Sequence, residues 1–174
     1  MALKRNHLYL FLALACFVGI IAIFIFDGYI GVYDKLVIDN GQFVQTIEAD
    51  QWIQQTKFGN VVGTSLEQNG QVDFTYTIEN HRFSEYTDNI EVSVWSNKVK
   101  TADLLSEKVL VPSFDKQEFK WTVTAADVLP PNYSVNQSYF VNVKIKMSNI
   151  ERDINVNIYV AANTIKVTPV PASR

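Results

Sequence analysis

From residue 72 onward the apolar side chains recur at every second position. In "QVDFTYTIE" these are Val72, Phe74, Tyr76 and Ile78, and in "IEVSVW" they are Ile90, Val92 and Val94. "FKWTVT" gives Phe119, Trp121 and Val123. "YFVNVKIKM" gives Tyr139, Val141, Val143, Ile145 and Met147. "INVNIYV" gives Ile154, Val156, Ile158 and Val160. A period of two puts one face of each segment in a core and the other in water, the pattern of antiparallel strands. Weaker strand signals lie at 36–38, 43–47, 61–66, 104–111 and 165–167, while 49–59 reads either as one helical turn or as an irregular strand. Asn40 with Gly41, and Asn69 with Gly70, sit between alternating runs and predict two-residue hairpin turns, because both residue types accept positive φ. Pro130 and Pro131 mark a loop. The expected architecture is an all-β, antiparallel sandwich over residues 34–168 with a flexible tail at 169–174.

Ahead of it stands a different solvent preference. Residues 8–26, "LYLFLALACFVGIIAIFIF", carry no charge in 19 positions. As a helix this run is roughly 28 Å long, about the thickness of a bilayer's hydrocarbon core. Lys4 and Arg5 precede it, and Asp27 and Asp34 follow. The positive-inside rule then predicts a cytoplasmic N-terminus at 1–7, a transmembrane helix at 8–26, a juxtamembrane segment at 27–33 and an extracytoplasmic domain beyond. Asp27 and Gly28 are expected to stop the helix. Tyr29 and Tyr33 read either as an interfacial belt or as part of a first strand. A cleaved signal or a lipoprotein signal are the alternatives, since Ala13, Leu14 and Ala15 precede Cys16. The apolar stretch before that cut is too short, however, and ten more apolar residues follow it. A pilin-type signal lacks its small and acidic residues here. The expected location is a single-pass cell-membrane protein with the lipid bilayer as partner through 8–26.

All eighteen acidic residues and thirteen of the fifteen basic ones follow Phe26, so the 148 residues beyond it carry a net charge of −5. Nucleic acid requires a basic footprint and is excluded as a partner on that ground. The single cysteine, Cys16, lies in the apolar run, so the domain has neither a disulfide nor a thiolate nucleophile of its own.

Residues 71–160 resemble an immunoglobulin-like or fibronectin-type-III-like β-sandwich of prokaryotic surface proteins. The resemblance is carried by "FTYTIEN", "IEVSVWSN", "FKWTVT" and "LPPNYSVNQSYFVNVKI". Leu129 followed by Tyr139, Val141 and Val143 is similar to the tyrosine corner of such domains. The cysteine pair of antibody domains is absent, and the stretch from Leu129 to Tyr139 is longer than usual. The resemblance reaches the superfamily and carries over no functional residue.

Chemistry-bearing clusters are sparse. Beyond His7 there is one histidine, His81, in the polar connection "ENHRFSEYTDN"; it reads as a solvated loop residue, and a Ser-His-Asp arrangement could use no other. Glu79, Glu85 and Asp88 lack the spacing of a calcium loop. No cofactor, metal site or catalytic residue is expected. Asn132 and Asn136 each begin an N-x-S acceptor and are candidate glycosylation sites. Three aromatics break the polar phase of their strands: Trp95, Phe140 and Tyr159. In an immunoglobulin-like order their strands are neighbours, and the three meet at one end of the sheet's outer face. Such a patch suits a partner. The expected function is a non-catalytic protein-interaction module or accessory subunit of a membrane or envelope complex, its partner another membrane or surface protein. The alternative is a membrane-anchored, carbohydrate-type ligand-binding module. An enzyme would show a cleft around His81 with a perturbed titratable group.

Overall fold

The structure, a computed structural model, describes the backbone of residues 2–49, 51–52 and 62–161, and in the first helix the side chains of 9–23. Helix α1 (Ala2–Ile30) leads directly into the strands β1 (Val32–Asp39), β2 (Val44–Glu48), β3 (Val62–Leu66), β4 (Gln71–Asn80), β5 (Tyr86–Ser96), β6 (Val99–Val111) and β7 (Lys116–Thr124). A single turn, α2 (Ala125–Val128), precedes β8 (Gln137–Lys146) and β9 (Glu151–Val160). The strands form two sheets, in the orders β2-β1-β4-β7 and β3-β9-β8-β5-β6.

The alternating residues of both sheets share one core. Leu36, Ile38, Phe74, Tyr76 and Ile78 of the first sheet are buried together with Ile90, Val92, Val143, Ile145, Ile154 and Ile158 of the second. Phe74 stacks on Trp121 with centroids 5.5 Å apart, which fills the middle of the first sheet's inner face.

Several expectations need correction. Among the described residues no helix is long and apolar enough to cross a membrane. This overturns the transmembrane helix at 8–26 in the fold class, and with it the single-pass cell-membrane location with a cytoplasmic N-terminus and an extracytoplasmic domain. Nor do Asp27 and Gly28 stop the helix, since it runs to Ile30, and β1 begins two residues later. The strands are not all antiparallel either: β3 pairs with β9 in parallel, Val62 opposite Ile154 through Leu66 opposite Ile158.

The two Asn-Gly turns also behave differently from expectation. Asp39 pairs with Val44, so the β1–β2 loop has four residues. Asn40 closes it with its own side chain, whose Oδ1 accepts from the amides of Gln42 and Phe43. Gly41 supplies the positive φ of +79°. Asn69 and Gly70 do not close a hairpin, because β3 and β4 belong to different sheets. The Gly70 amide instead donates to the Glu67 carbonyl, and this turn hands the chain from one sheet to the other. A true two-residue hairpin turn occurs between β5 and β6, where Asn97 and Lys98 both take positive φ, the type I′ geometry. The strand signal at 165–167, the tail at 169–174 and most of 49–59 lie outside the described residues.

Two charges occupy core-facing positions. Asp34 is in phase with Leu36 and Ile38, and Arg152 with Ile154 and Val156. They meet across the two sheets. Arg152 Nε donates to Asp34 Oδ2 at 2.8 Å and Nη2 to Oδ1 at 2.9 Å, while the Tyr76 hydroxyl donates to Oδ2 at 2.9 Å. The Arg152 guanidinium also lies 5.3 Å from the Trp52 ring centroid. Burial pushes the Tyr76 hydroxyl far above its ordinary range, reinforced by the Asp34 charge it faces. Burial lowers the pKa of Arg152, but the hydrogen bonds and charge of Asp34 outweigh this and raise it overall. Removing one partner leaves a buried charge unmatched, at a cost of about 3–5 kcal/mol. Urea unfolding of Arg152→Ala is expected to show a loss of that size. The double change Asp34→Leu with Arg152→Met is expected to lose much less, and equal losses would refute the assignment.

A second polar tie joins the start of β5 to the β8–β9 turn. The Asp88 carboxylate accepts from the Ser148 hydroxyl at 2.7 Å, the Asn89 amide at 2.7 Å and the Tyr86 hydroxyl at 2.8 Å. Burial works to raise the pKa of Asp88, but these bonds outweigh it and hold the group below its ordinary 3.8. A depressed carboxylate stabilises the fold above its unfolded value, and that contribution is lost as pH falls through the lower folded value. Acidification from neutral pH to below 3.8 should therefore reduce the urea midpoint more steeply in the parent chain than in Asp88→Asn. Parallel pH profiles would sink this.

Candidate functional site

The three aromatics that break the polar phase fall on adjacent strands. Trp95 is in β5, Phe140 in β8 and Tyr159 in β9, and the sheet order places β8 between the other two. Trp95 pairs with Asn142, and Tyr159 with Ser138. Phe140 stands two residues from each of those partners, so both neighbours are its diagonal cross-strand neighbours, roughly 7–8 Å apart and within reach of an aromatic side chain. All three point to the outer face, at the end where β5 and β9 finish and β8 begins. Phe140 and Tyr159 are 57% and 58% exposed.

Trp95 differs from the other two. It is half-buried, its indole N–H donates to Ser93 Oγ at 2.9 Å, and Lys144 Nζ lies 5.4 Å from its ring centroid. Lys144 is in turn held by Asp153 at 3.4 Å. Among the described residues no ring contact joins the three. The open part of the patch is therefore Phe140 with Tyr159, with Trp95 as a braced edge.

The loop ahead of β8 borders this end. Tyr139 turns inward, and its hydroxyl accepts from the Ser134 amide at 2.6 Å and donates to Gln137 Oε1 at 3.0 Å. Asn132 and Asn136 are both exposed in that loop. Asn136 takes a positive φ of +59°, and its amide donates to the Val160 carbonyl at 2.6 Å.

His81 lies at the opposite end. Its ring meets Tyr33 edge-on at 5.0 Å, and Nε2 is 3.3 Å from Glu79 Oε2. A cleft of about 520 Å³ opens there between Tyr33, Lys35, Glu48, Glu79 and His81. Of the other carboxylates in the connection, Asp88 is engaged by Ser148 and Tyr86. Among the described residues no three of His, Cys, Asp and Glu are grouped so as to hold a metal ion.

One feature of this end escaped the sequence reading. Phe83 and Phe114, at the tips of the β4–β5 and β6–β7 loops, meet edge to face at 5.0 Å and are 67% and 62% exposed. Asn80, fully buried, clamps both loops. Its side-chain amide donates to the carbonyls of Ser84, Val111 and Pro112, and its Oδ1 accepts from the Arg82 amide. Phe114 carries a φ of +57°, a conformation costly for a bulky side chain. Loops have no apolar period, so the pairing had no signal in the sequence.

No protein-family model matches the chain, and no curated protein matches it. Among solved structures, a β-glucosidase from Listeria innocua in complex with glucose aligns with 74% of this chain at 13% identity and a TM-score of 0.43. A mutant of that enzyme in complex with laminaribiose aligns with 55% at 17% identity and a TM-score of 0.42. A β-glucosidase from Erythrobacter marinus aligns with 54% at 9% identity and a TM-score of 0.40. The matches span only 14–17% of those chains, and at these scores the likenesses carry no argument about this protein.

Replacing Phe114 by glycine removes the backbone strain and only a mostly exposed ring. The variant is expected to be as stable as the parent or up to about 1 kcal/mol more stable. Thermal unfolding checks this, and a loss above about 1 kcal/mol would show the ring to be structural.

Proposed function

We propose that the chain is a non-catalytic interaction module of the immunoglobulin-like or fibronectin-type-III-like kind, which engages a protein partner through the outer face of β9, β8 and β5. The strand arrangement supports the architectural half of this reading. β1, β4 and β7 are adjacent in one sheet and β5, β8 and β9 in the other, as strands A, B and E and strands C, F and G are in those sandwiches. The Tyr139 hydroxyl, bonded to the backbone five residues upstream near the start of β8, has the form of a tyrosine corner.

The functional half rests on one observation: Phe140 and Tyr159 are diagonal neighbours that leave more than half of their surface in water. Aromatic side chains held on a rigid sheet lose little entropy on binding and bury a large apolar area. Burying both rings in an interface is worth about 2–4 kcal/mol, or roughly 30- to 1,000-fold in affinity.

The test uses the full chain, immobilised and exposed to an extract of its source cells, with retained proteins identified by mass spectrometry and the binary affinity then measured. The Phe140→Ser and Tyr159→Ser double variant should lose the partner by the stated factor. Retention equal to the parent, or no retained protein at all, would sink the reading.

A further inference from the structure

We infer that the end of the sandwich around Pro130 and Pro131 is a binding site for a neutral oligosaccharide. Two clefts flank this proline pair. One, of about 760 Å³, presents the Tyr133 ring together with the amide side chains of Gln68, Asn69 and Gln71. The other, of about 520 Å³, presents the Phe140 ring with Ser96, Asn97 and Ser138. Leu129, Pro130 and Pro131 belong to both, so the proline pair forms a ridge between two similar halves.

Charge decides the class of ligand. In a chain with 19% charged residues, no described residue lining the first cleft carries a charge, and Asp127 alone does in the second. Asp127 is already engaged, since its Oδ2 accepts from the Thr124 amide at 2.7 Å and the Thr124 hydroxyl at 2.8 Å. Among the described residues no cation lines either cleft to neutralise a phosphate or a carboxylate, so nucleotides, phosphosugars and acidic ligands would bring an unmatched charge. A wholly apolar ligand would strip water from the amides of Asn69 and Asn97, and from the valences that Gln68 and Gln71 keep beside their bonds to Tyr133 and Asp73, without replacing those hydrogen bonds. A sugar ring satisfies both demands, with a C–H face for Tyr133 or Phe140 and a perimeter of hydroxyls for the amides. Two rings on either side of a ridge call for at least two linked sugar units.

The walls are also fixed in place. The Ala125 amide donates to the Gly70 carbonyl at 3.2 Å, which ties the 67–70 turn to α2. Gln68 Nε2 donates to the Tyr133 hydroxyl at 3.4 Å, and the Tyr139 bonds hold the loop that carries Tyr133.

The experiment titrates the full chain with five neutral probes: maltohexaose, cellohexaose, laminarihexaose, mannohexaose and chitohexaose. Calorimetry gives the affinity, and proton–nitrogen correlation spectra of the unmodified chain locate the site. Saturable binding of at least one probe is expected, with shifts concentrated at the side-chain amides of Gln68, Asn69, Gln71 and Asn97. Tyr133→Ser and Phe140→Ser should each weaken binding by about 10-fold or more. Ala126→Trp, at an exposed alanine shared by both clefts, should abolish it. No binding by about 20 mM, shifts located elsewhere, or full affinity in Ala126→Trp would each overturn the assignment. Tyr159→Ser separates this site from the protein-binding patch, since it should leave sugar affinity unchanged while weakening capture of a protein partner.

Discussion

The two sheets depend on one interaction, the ion pair of Asp34 and Arg152. Most of the remaining contact between the sheets is apolar and non-directional, and apolar faces can slide over one another at small cost. A bidentate guanidinium–carboxylate pair cannot, because both hydrogen bonds fail together once β1 and β9 shift. The Tyr76 hydroxyl takes one more acceptor site of the same carboxylate, so three strands from two sheets converge on one group. Such a pair contributes little net stability over an apolar replacement, and its effect here is to fix the relative position of the sheets. That relative position governs the clefts at the far end, whose walls come from both sheets.

The division between what was and was not legible in the sequence follows from periodicity. Strands β4, β5, β7, β8 and β9 could be read because each buries one whole face, and burial of one face writes a period of two into the chain. The same period contained the ion pair. Asp34 and Arg152 both occupy the apolar phase of their strands, and two opposite charges in core phase are a signal of a buried pair. In the sequence Asp34 also stands with Asp27 as a flank of the apolar run, which hides its place in a strand. The Asn69 and Gly70 turn was misassigned for a related reason: a dipeptide encodes local φ, and nothing local distinguishes a hairpin from a passage between sheets.

The candidate surfaces divide in the same way. Trp95, Phe140 and Tyr159 were findable as violations of a pattern, since each puts a ring where its strand should be polar. Their neighbourhood required only the strand order. The state of Trp95 was not legible, because Lys144 and Ser93 reach it from positions that a single strand cannot reveal. Phe83 and Phe114 had no pattern to violate. Their proximity is set by Asn80, whose side chain spans two loops separated by about thirty residues of sequence.

The two ends of the sandwich therefore have different physical characters. At the end where β1 begins, three buried or half-buried polar side chains are consumed in structure: Asn80 in clamping loops, Asp88 in closing a turn, Asp34 in joining sheets. Groups so engaged have little capacity left for a ligand. At the other end Asp127 is engaged in the same way, but Asn97, Phe140 and Tyr159 stand at the surface on rigid strands or beside tight turns. Recognition requires groups that are ordered without ligand yet still have valences or apolar faces to spare. That combination occurs around Pro130 and Pro131, because backbone bonds and the hydroxyls of Tyr133 and Tyr139 pin the loops there while the Tyr133 and Phe140 rings keep a face in water.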